Sequence, residues 1–215
     1  MSRLLRLCRS SLGKKYIMAM TGLLLGLFLL AHAAGNSLLL QSREAFTAYA
    51  EHLREYRLLL PLAGLLLAAV FLLHALTGLS LFVSNRRAKG GRSTVSAAAG
   101  GQTLTSRAMP WTGTAVLAFL LVHLATVRFA DPALPTAERL GRALTEPLPA
   151  LLHVVGVAAL TLHISHGFWS LTQTFGLNYP RCNGLIRACA WLAVIVIAGI
   201  FGTIILLYLA HAIQF

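Results

Sequence analysis

Five runs of about twenty or more predominantly apolar residues leave a chain of 215 residues few choices of fold. They lie at Tyr16–Leu40, Leu58–Ser84, Pro110–Phe129, Leu148–Thr172 and Ala188–Ala212. Hydrocarbon offers no water to backbone N–H and C=O groups, so a segment of this kind has to satisfy them internally and is helical. The chain therefore reads as an all-α integral membrane protein, one transmembrane domain over residues 1–215 with five spanning helices in a bundle. Charged residues make up only 11%, against the quarter or so usual in soluble domains. Little chain remains for a soluble module, so nucleotide or flavin chemistry would have to sit on another polypeptide.

The first run follows a basic start and ends near an AHA sequence, features shared with signal peptides. Its apolar stretch is longer than the 7–15 residues of such regions and it carries His32, so it reads as the first membrane helix. Gly22 and Gly26 on it form a GxxxG pair, a mark of close helix packing. The next loop, QSREAFTAYAEHLREYR, places apolar residues at helical spacing among charges and predicts an amphipathic surface helix. Pro132, Pro135, Pro147 and Pro149 fit turns and a helix start in the third loop. The fifth run has no ionisable group at its middle and reads as a packing helix.

The formal charge is +12, which raises the question of nucleic acid, but its distribution points to a bilayer. Arg3, Arg6, Arg9, Lys14, Lys15, Arg86, Arg87, Lys89, Arg92, Arg107, Arg181 and Arg187 lie in the N-terminal segment and the second and fourth loops. All six carboxylates, Glu44, Glu51, Glu55, Asp131, Glu138 and Glu146, lie in the first and third. The Lys/Arg bias places the N-terminus in the cytoplasm. Trp111, Trp169 and Trp191 then fall at the inner interface, where an amphipathic ring is at home. Cys8, Cys182 and Cys189 form neither CxxC nor CxxCH, so no zinc, iron–sulfur or covalent haem attachment is indicated.

Four of the five runs carry a histidine at depth, and an ionisable side chain inside an apolar span is a functional candidate by default. Counted along each helix at about 1.5 Å per residue, His32 and His123 lie roughly 24 and 20 Å from the inner end, and His74 and His163 roughly 15 and 14 Å. Two histidines on facing helices at one depth are what a bis-imidazole haem requires. Gly78 and Gly167 follow His74 and His163 by four residues and so share their helical faces, leaving room for a flat macrocycle. His166 stands close to His163 and is an alternative ligand, or a contact for a haem propionate or a quinone. His52, His153 and His211 fall at the outer surface or interface and read as ordinary solvated histidines.

With these residues in place, the chain resembles the five-helix, dihaem cytochrome b membrane anchor of the succinate:quinone oxidoreductases, the succinate dehydrogenase and fumarate reductase family. The resemblance runs from about Ser10 to Tyr208 and rests on SLGKKYIMAMTG, AHAAGN, EAFTAYAEHLR, LLHALTG, LVHLATVRF and LHISHGFWSLTQTFGLN, in that order. It implies two haem b groups, the inner on His74 and His163 and the outer on His32 and His123. It further implies a prokaryotic cytoplasmic membrane, an iron–sulfur and a flavoprotein subunit docked on the cytoplasmic face, a membrane quinone such as menaquinone, and dicarboxylate chemistry confined to the partner subunits. Such a complex can itself dimerise. Some fumarate reductases of this family carry a glutamate two residues before the fourth-helix ligand to return protons; here that position is Thr161.

Quinol oxidation releases protons, and their acceptor has to be ionisable and close to the quinone. Every carboxylate is on the outer side, so Glu51 and Glu55 are the candidate acceptors of an outer quinone site. Two rivals remain open: the cytochrome b anchor of a hydrogenase or formate dehydrogenase, and, from another class, a haem-free transporter or structural anchor.

Overall fold

A computed structural model describes residues 10–88, 104–177 and 181–210. Arg3, Arg6, Cys8, Arg9, Lys89, Arg92 and His211 lie outside the described residues, as does the side chain of Arg107. The described residues form seven α-helices: α1 (Ser11–Asn36), α2 (Arg43–Glu55), α3 (Leu59–Ala88), α4 (Leu104–His123), α5 (Thr136–Thr145), α6 (Pro147–Thr174) and α7 (Asn183–Leu209). Five of them, α1, α3, α4, α6 and α7, are long and apolar enough to cross a membrane. Their ends fall within a few residues of the five runs read from the sequence.

Local chemistry sets the ends. Ser10 caps α1 by accepting from the Gly13 N–H at 3.0 Å, and Ser42 caps α2 by accepting from Ala45 at 3.1 Å; each satisfies a donor that the helix cannot. Pro147 opens α6, where its missing N–H costs nothing. At the other end of α6, Gly176 turns left-handed at φ 68° and Leu177 donates to the Thr172 carbonyl at 3.0 Å, a closure that a glycine makes without strain. α4 passes at His123 into a π-turn, Leu124–Arg128, where the Phe129 N–H reaches back to Leu124 at 2.8 Å.

α4 packs most extensively on α6, and α1 packs on α3. α1 also meets α6, α3 meets α4 only narrowly, and α7 leans on α6 and α1. Four helices thus form the sides of a quadrilateral, α1–α3–α4–α6. The diagonals, α1 to α4 and α3 to α6, carry at most glancing backbone contact among the described residues. α3 is the most peripheral of the five, none of its apolar window being buried within the chain.

One end of the bundle is covered. α2 is the amphipathic helix expected in the first loop. The third loop, expected to supply turns and a helix start, instead contains a whole helix, α5, whose Ala137, Leu140, Ala143 and Leu144 are buried against Leu39, Phe46, Ile204 and Ile205. Burying each such leucine contributes about 1.5–3 kcal/mol. α5 also buries Arg139, 5% exposed, whose Nη1 donates to the carbonyls of Val127 at 3.1 Å and Arg128 at 3.4 Å. That caps the π-turn, whose last carbonyls have no helical partner. Burial lowers the Arg139 pKa from its ordinary value, with Arg54 and Arg128 adding repulsion.

Among the described glycines the closest approach is at Gly156 of α6, where an added Cβ would collide with Phe119 Cγ and lie 2.7 Å from Phe119 Cβ. These atoms sit next to the α4 backbone and cannot swing away. Gly156→Ala is expected to destabilise the protein by about 1–3 kcal/mol, the usual cost of overpacking. Thermal unfolding in detergent measures it against Gly64→Ala, where no atom lies within 4 Å; equal melting temperatures for the two variants would contradict the expectation.

Candidate functional site

The four deep histidines meet in pairs across the diagonals. His74 of α3 and His163 of α6 have ring centres 6.3 Å apart with planes at 76°. His32 of α1 and His123 of α4 have ring centres 6.1 Å apart at 87°. These are the pairs grouped by depth in the sequence. The structure brings each together across a gap that the helix backbones themselves do not close.

The nearer surroundings of the His74–His163 pair repeat a device. Thr21 Oγ1 donates its one proton to the Ile17 carbonyl at 2.7 Å and stands 3.0 Å from His74 Nδ1. With the proton committed, the hydroxyl accepts from Nδ1–H. Thr112 Oγ1 lies 3.2 Å from the Ala108 and Met109 carbonyls and 3.2 Å from His163 Nδ1, the same arrangement on α4. A threonine proton committed in this way places the imidazole proton on Nδ1 and leaves the Nε2 lone pair for another partner, the way an outer hydrogen bond sets the tautomer of a ligating imidazole. The residue after each threonine is a glycine, and a Cβ on Gly22 or Gly113 would lie 3.3 or 3.2 Å from the imidazole Cε1 of His74 or His163.

Those glycines, on the facing helices, are where the bundle makes room for the imidazoles. Of the two expected from their position after a histidine, Gly78 faces the Met18 methyl of α1, 2.8 Å from a would-be Cβ, so that it serves the α1–α3 contact; Gly167 has no atom within 4 Å. The GxxxG pair divides likewise: Gly22 meets His74, whereas Gly26 admits the Phe168 ring of α6.

The His32–His123 pair is lined differently. His32 stacks on Phe28 at 5.3 Å and meets Phe201 of α7 at 5.6 Å. His123 lies 5.7 Å from Phe119 and 5.7 Å from His153. His153, expected to be solvated near the outer surface, is in fact 3% exposed, covered where Phe119 enters against Gly156. His52 is exposed, as expected, and bonded to Glu55 at 3.2 Å.

Glu51 and Glu55 are exposed on α2. Neither forms a hydrogen bond or ion pair with His32 or His123 among the described residues. His166 is half-buried and makes no hydrogen bond among the described residues. Thr161 donates to the Val157 carbonyl at 2.8 Å, so its proton is committed to its own helix.

The donor set can be tested against a haem by spacing. Two imidazoles bound to one metal at about 2.0–2.1 Å, each with its ring centre about 1.2 Å behind the nitrogen, stand about 6.4 Å apart centre to centre. The observed 6.3 and 6.1 Å fit, and rotation about the metal–nitrogen axis leaves the interplanar angle free. The same spacing is too long for a direct hydrogen bond between the two rings of a pair, and none is made.

Thr21→Val and Thr112→Val keep side-chain shape and remove the acceptor. Each leaves an imidazole N–H unpaired inside the bundle, an expected cost of about 1–3 kcal/mol. Thermal unfolding in detergent checks this, and Thr→Ser at the same positions is expected to restore stability.

Compared with protein-family models, with curated proteins and with solved structures, the chain matches none.

Proposed function

We propose that this chain is a dihaem cytochrome b membrane anchor, the quinone-reactive subunit of a succinate:quinone oxidoreductase complex in a prokaryotic cytoplasmic membrane. One observation carries the reading: two histidine pairs bridge the two diagonals of one four-helix quadrilateral, each with the ring spacing of a bis-imidazole metal. His74 and His163 would hold the inner haem and His32 and His123 the outer one. Bound there, a low-spin haem supplies one-electron transfer.

The protein's own residues do the rest. Thr21 and Thr112 would hold Nδ1–H of the inner ligands and leave Nε2 free for the metal. Phe28 and Phe201 wall His32 against lipid. With the N-terminus inside, α2 and α5 cover the outer end, and the inner end presents Arg86, Arg87, Arg181 and Arg187 without a carboxylate. Such a field favours an acidic partner surface, which suits an iron–sulfur subunit carrying the flavoprotein. Arg187 lies over the Trp169 ring at 4.3 Å, holding that corner at the interface. A quinone, menaquinone or another, exchanges electrons at the opposite end, beside Glu51 and Glu55.

A reduced-minus-oxidised absorption spectrum of the purified protein, with a pyridine haemochrome assay, tests the reading. Two haem b per chain are expected. None would sink it and leave the haem-free transporter or structural anchor. Co-purifying subunits separate the nearer rivals: flavoprotein and iron–sulfur subunits are expected, and a nickel or molybdenum subunit would transfer the chain to a hydrogenase or formate dehydrogenase.

A further inference from the structure

Two buried imidazole nitrogens at the outer end have no hydrogen-bond partner, Nδ1 of His123 and Nε2 of His153. They belong to neighbouring rings, 5.7 Å apart at 65°, both touching Phe119. Polar atoms are seldom buried unpaired in folded proteins, and each such orphan calls for an explanation.

The state of His153 follows from its other nitrogen. Nδ1 is 2.8 Å from the Pro149 carbonyl. A carbonyl only accepts, so Nδ1 carries the proton and Nε2 carries a lone pair. His123 can complement that lone pair only if its own Nδ1 bears the proton. That tautomer, in turn, leaves Nε2 of His123 bare for a metal. The two orphans therefore become donor and acceptor to one another in one combination of tautomers, the one in which His123 is ready to ligate.

The geometry points to His153 as the positioning residue of the outer pair, its Nε2 accepting the Nδ1–H of His123 directly or through one bridging water. The inference rests on the dihaem reading and deepens it. His153 does at the outer pair what Thr21 and Thr112 do at the inner pair, with an imidazole in place of a hydroxyl. Phe119 fixes the relation of the two rings, and Gly156 admits Phe119. A bridging water needs at least two polar partners, and His123 Nδ1 and His153 Nε2 supply two.

A hydrogen bond accepted from a ligand's N–H makes the imidazole more basic toward the metal and favours the oxidised iron. Its loss shifts the outer haem toward reduction. Optical redox titration and low-temperature EPR of the oxidised protein, on wild type, His153→Phe and His153→Gln, test this. The outer haem is identified as the one lost in His123→Ala. His153→Phe is expected to keep both haems and to raise the reduced-to-oxidised ratio of the outer haem about ten-fold at fixed potential, 59 mV for one electron, with the inner haem unmoved. His153→Gln, whose amide oxygen can accept the same N–H, is expected to restore the wild-type potential and EPR signal.

Two haems with the outer one indifferent to His153→Phe would overturn this inference alone. If His153→Phe loses the outer haem outright, His153→Gln decides: wild-type behaviour supports the role and equal loss overturns it. Wild-type protein without haem overturns both this inference and the dihaem reading.

Discussion

Replacing His163 by alanine is expected to halve the haem content of the purified protein, and adding His123→Ala to remove the remainder. The two pairs lie on different diagonals, with no ring shared between them. His74→Ala and His163→Ala should therefore bleach the same spectral component, and His32→Ala and His123→Ala the other. A bis-imidazole site deprived of one ligand would keep no second protein donor on that side: across the gap from His74, the His163 ring alone among the described residues stands at metal-bridging distance. His166→Ala should keep both haems. The measurement is pyridine haemochrome per chain, with subunit assembly monitored to set aside misfolded protein. Loss of haem in His166→Ala together with its retention in His163→Ala would show that the ligand of α6 is His166.

The second large effect concerns charge movement. In the proposed complex, electrons would cross the membrane from an outer quinone to an inner partner while quinol protons are released outside. Return of protons through the bundle would need a relay beside the inner pair. The position two residues before His163 is Thr161, whose hydroxyl is committed to the Val157 carbonyl. Turnover from quinol to fumarate in proteoliposomes should therefore build a membrane potential. Each charge crossing the full membrane against 100 mV faces about 2.3 kcal/mol, about fifty-fold in the equilibrium constant. An uncoupler should relieve that opposition and raise the rate. Glu51→Gln with Glu55→Gln should slow quinone turnover while leaving haem content intact, since both carboxylates are exposed and neither is bonded to a deep histidine. An electroneutral reaction, or full quinone activity in the double variant, would be decisive against this mechanism.

The spans and the histidine pairs were legible because their signals are one-dimensional. Length and apolarity define a span, and counting residues along it gives depth. What lay opposite a given residue was not legible. Gly78 and Gly167 share a helical face with a histidine, and the space beside Gly167 is open; the glycines that meet the imidazoles, Gly22 and Gly113, belong to neighbouring helices. A signal was present all the same: Thr-Gly stands at 21–22, 77–78 and 112–113, and two of these three meet an inner histidine. α5 was also within reach, since Ala137, Leu140 and Leu144 follow helical spacing in a segment read chiefly for its prolines. His153 was expected at the outer surface or interface, and no count along one helix reveals that Phe119 of another covers it.

The diagonal placement of the pairs bears on how the molecule is made. Helices adjacent on the quadrilateral dock through their own side chains, but His32 waits for a helix synthesised two spans later, and His74 likewise. Both partners of the outer pair exist once the third span has emerged; the inner pair is incomplete until the fourth. Chain order alone would thus let the outer position load first, while α6, the helix that grips α4, is still arriving. Ligand capture would then act as a clasp between two hairpins, since binding to a site that only the assembled state possesses is itself folding free energy. Under haem starvation, the population to look for is a pair of loosely associated halves, α1 with α3 and α4 with α6.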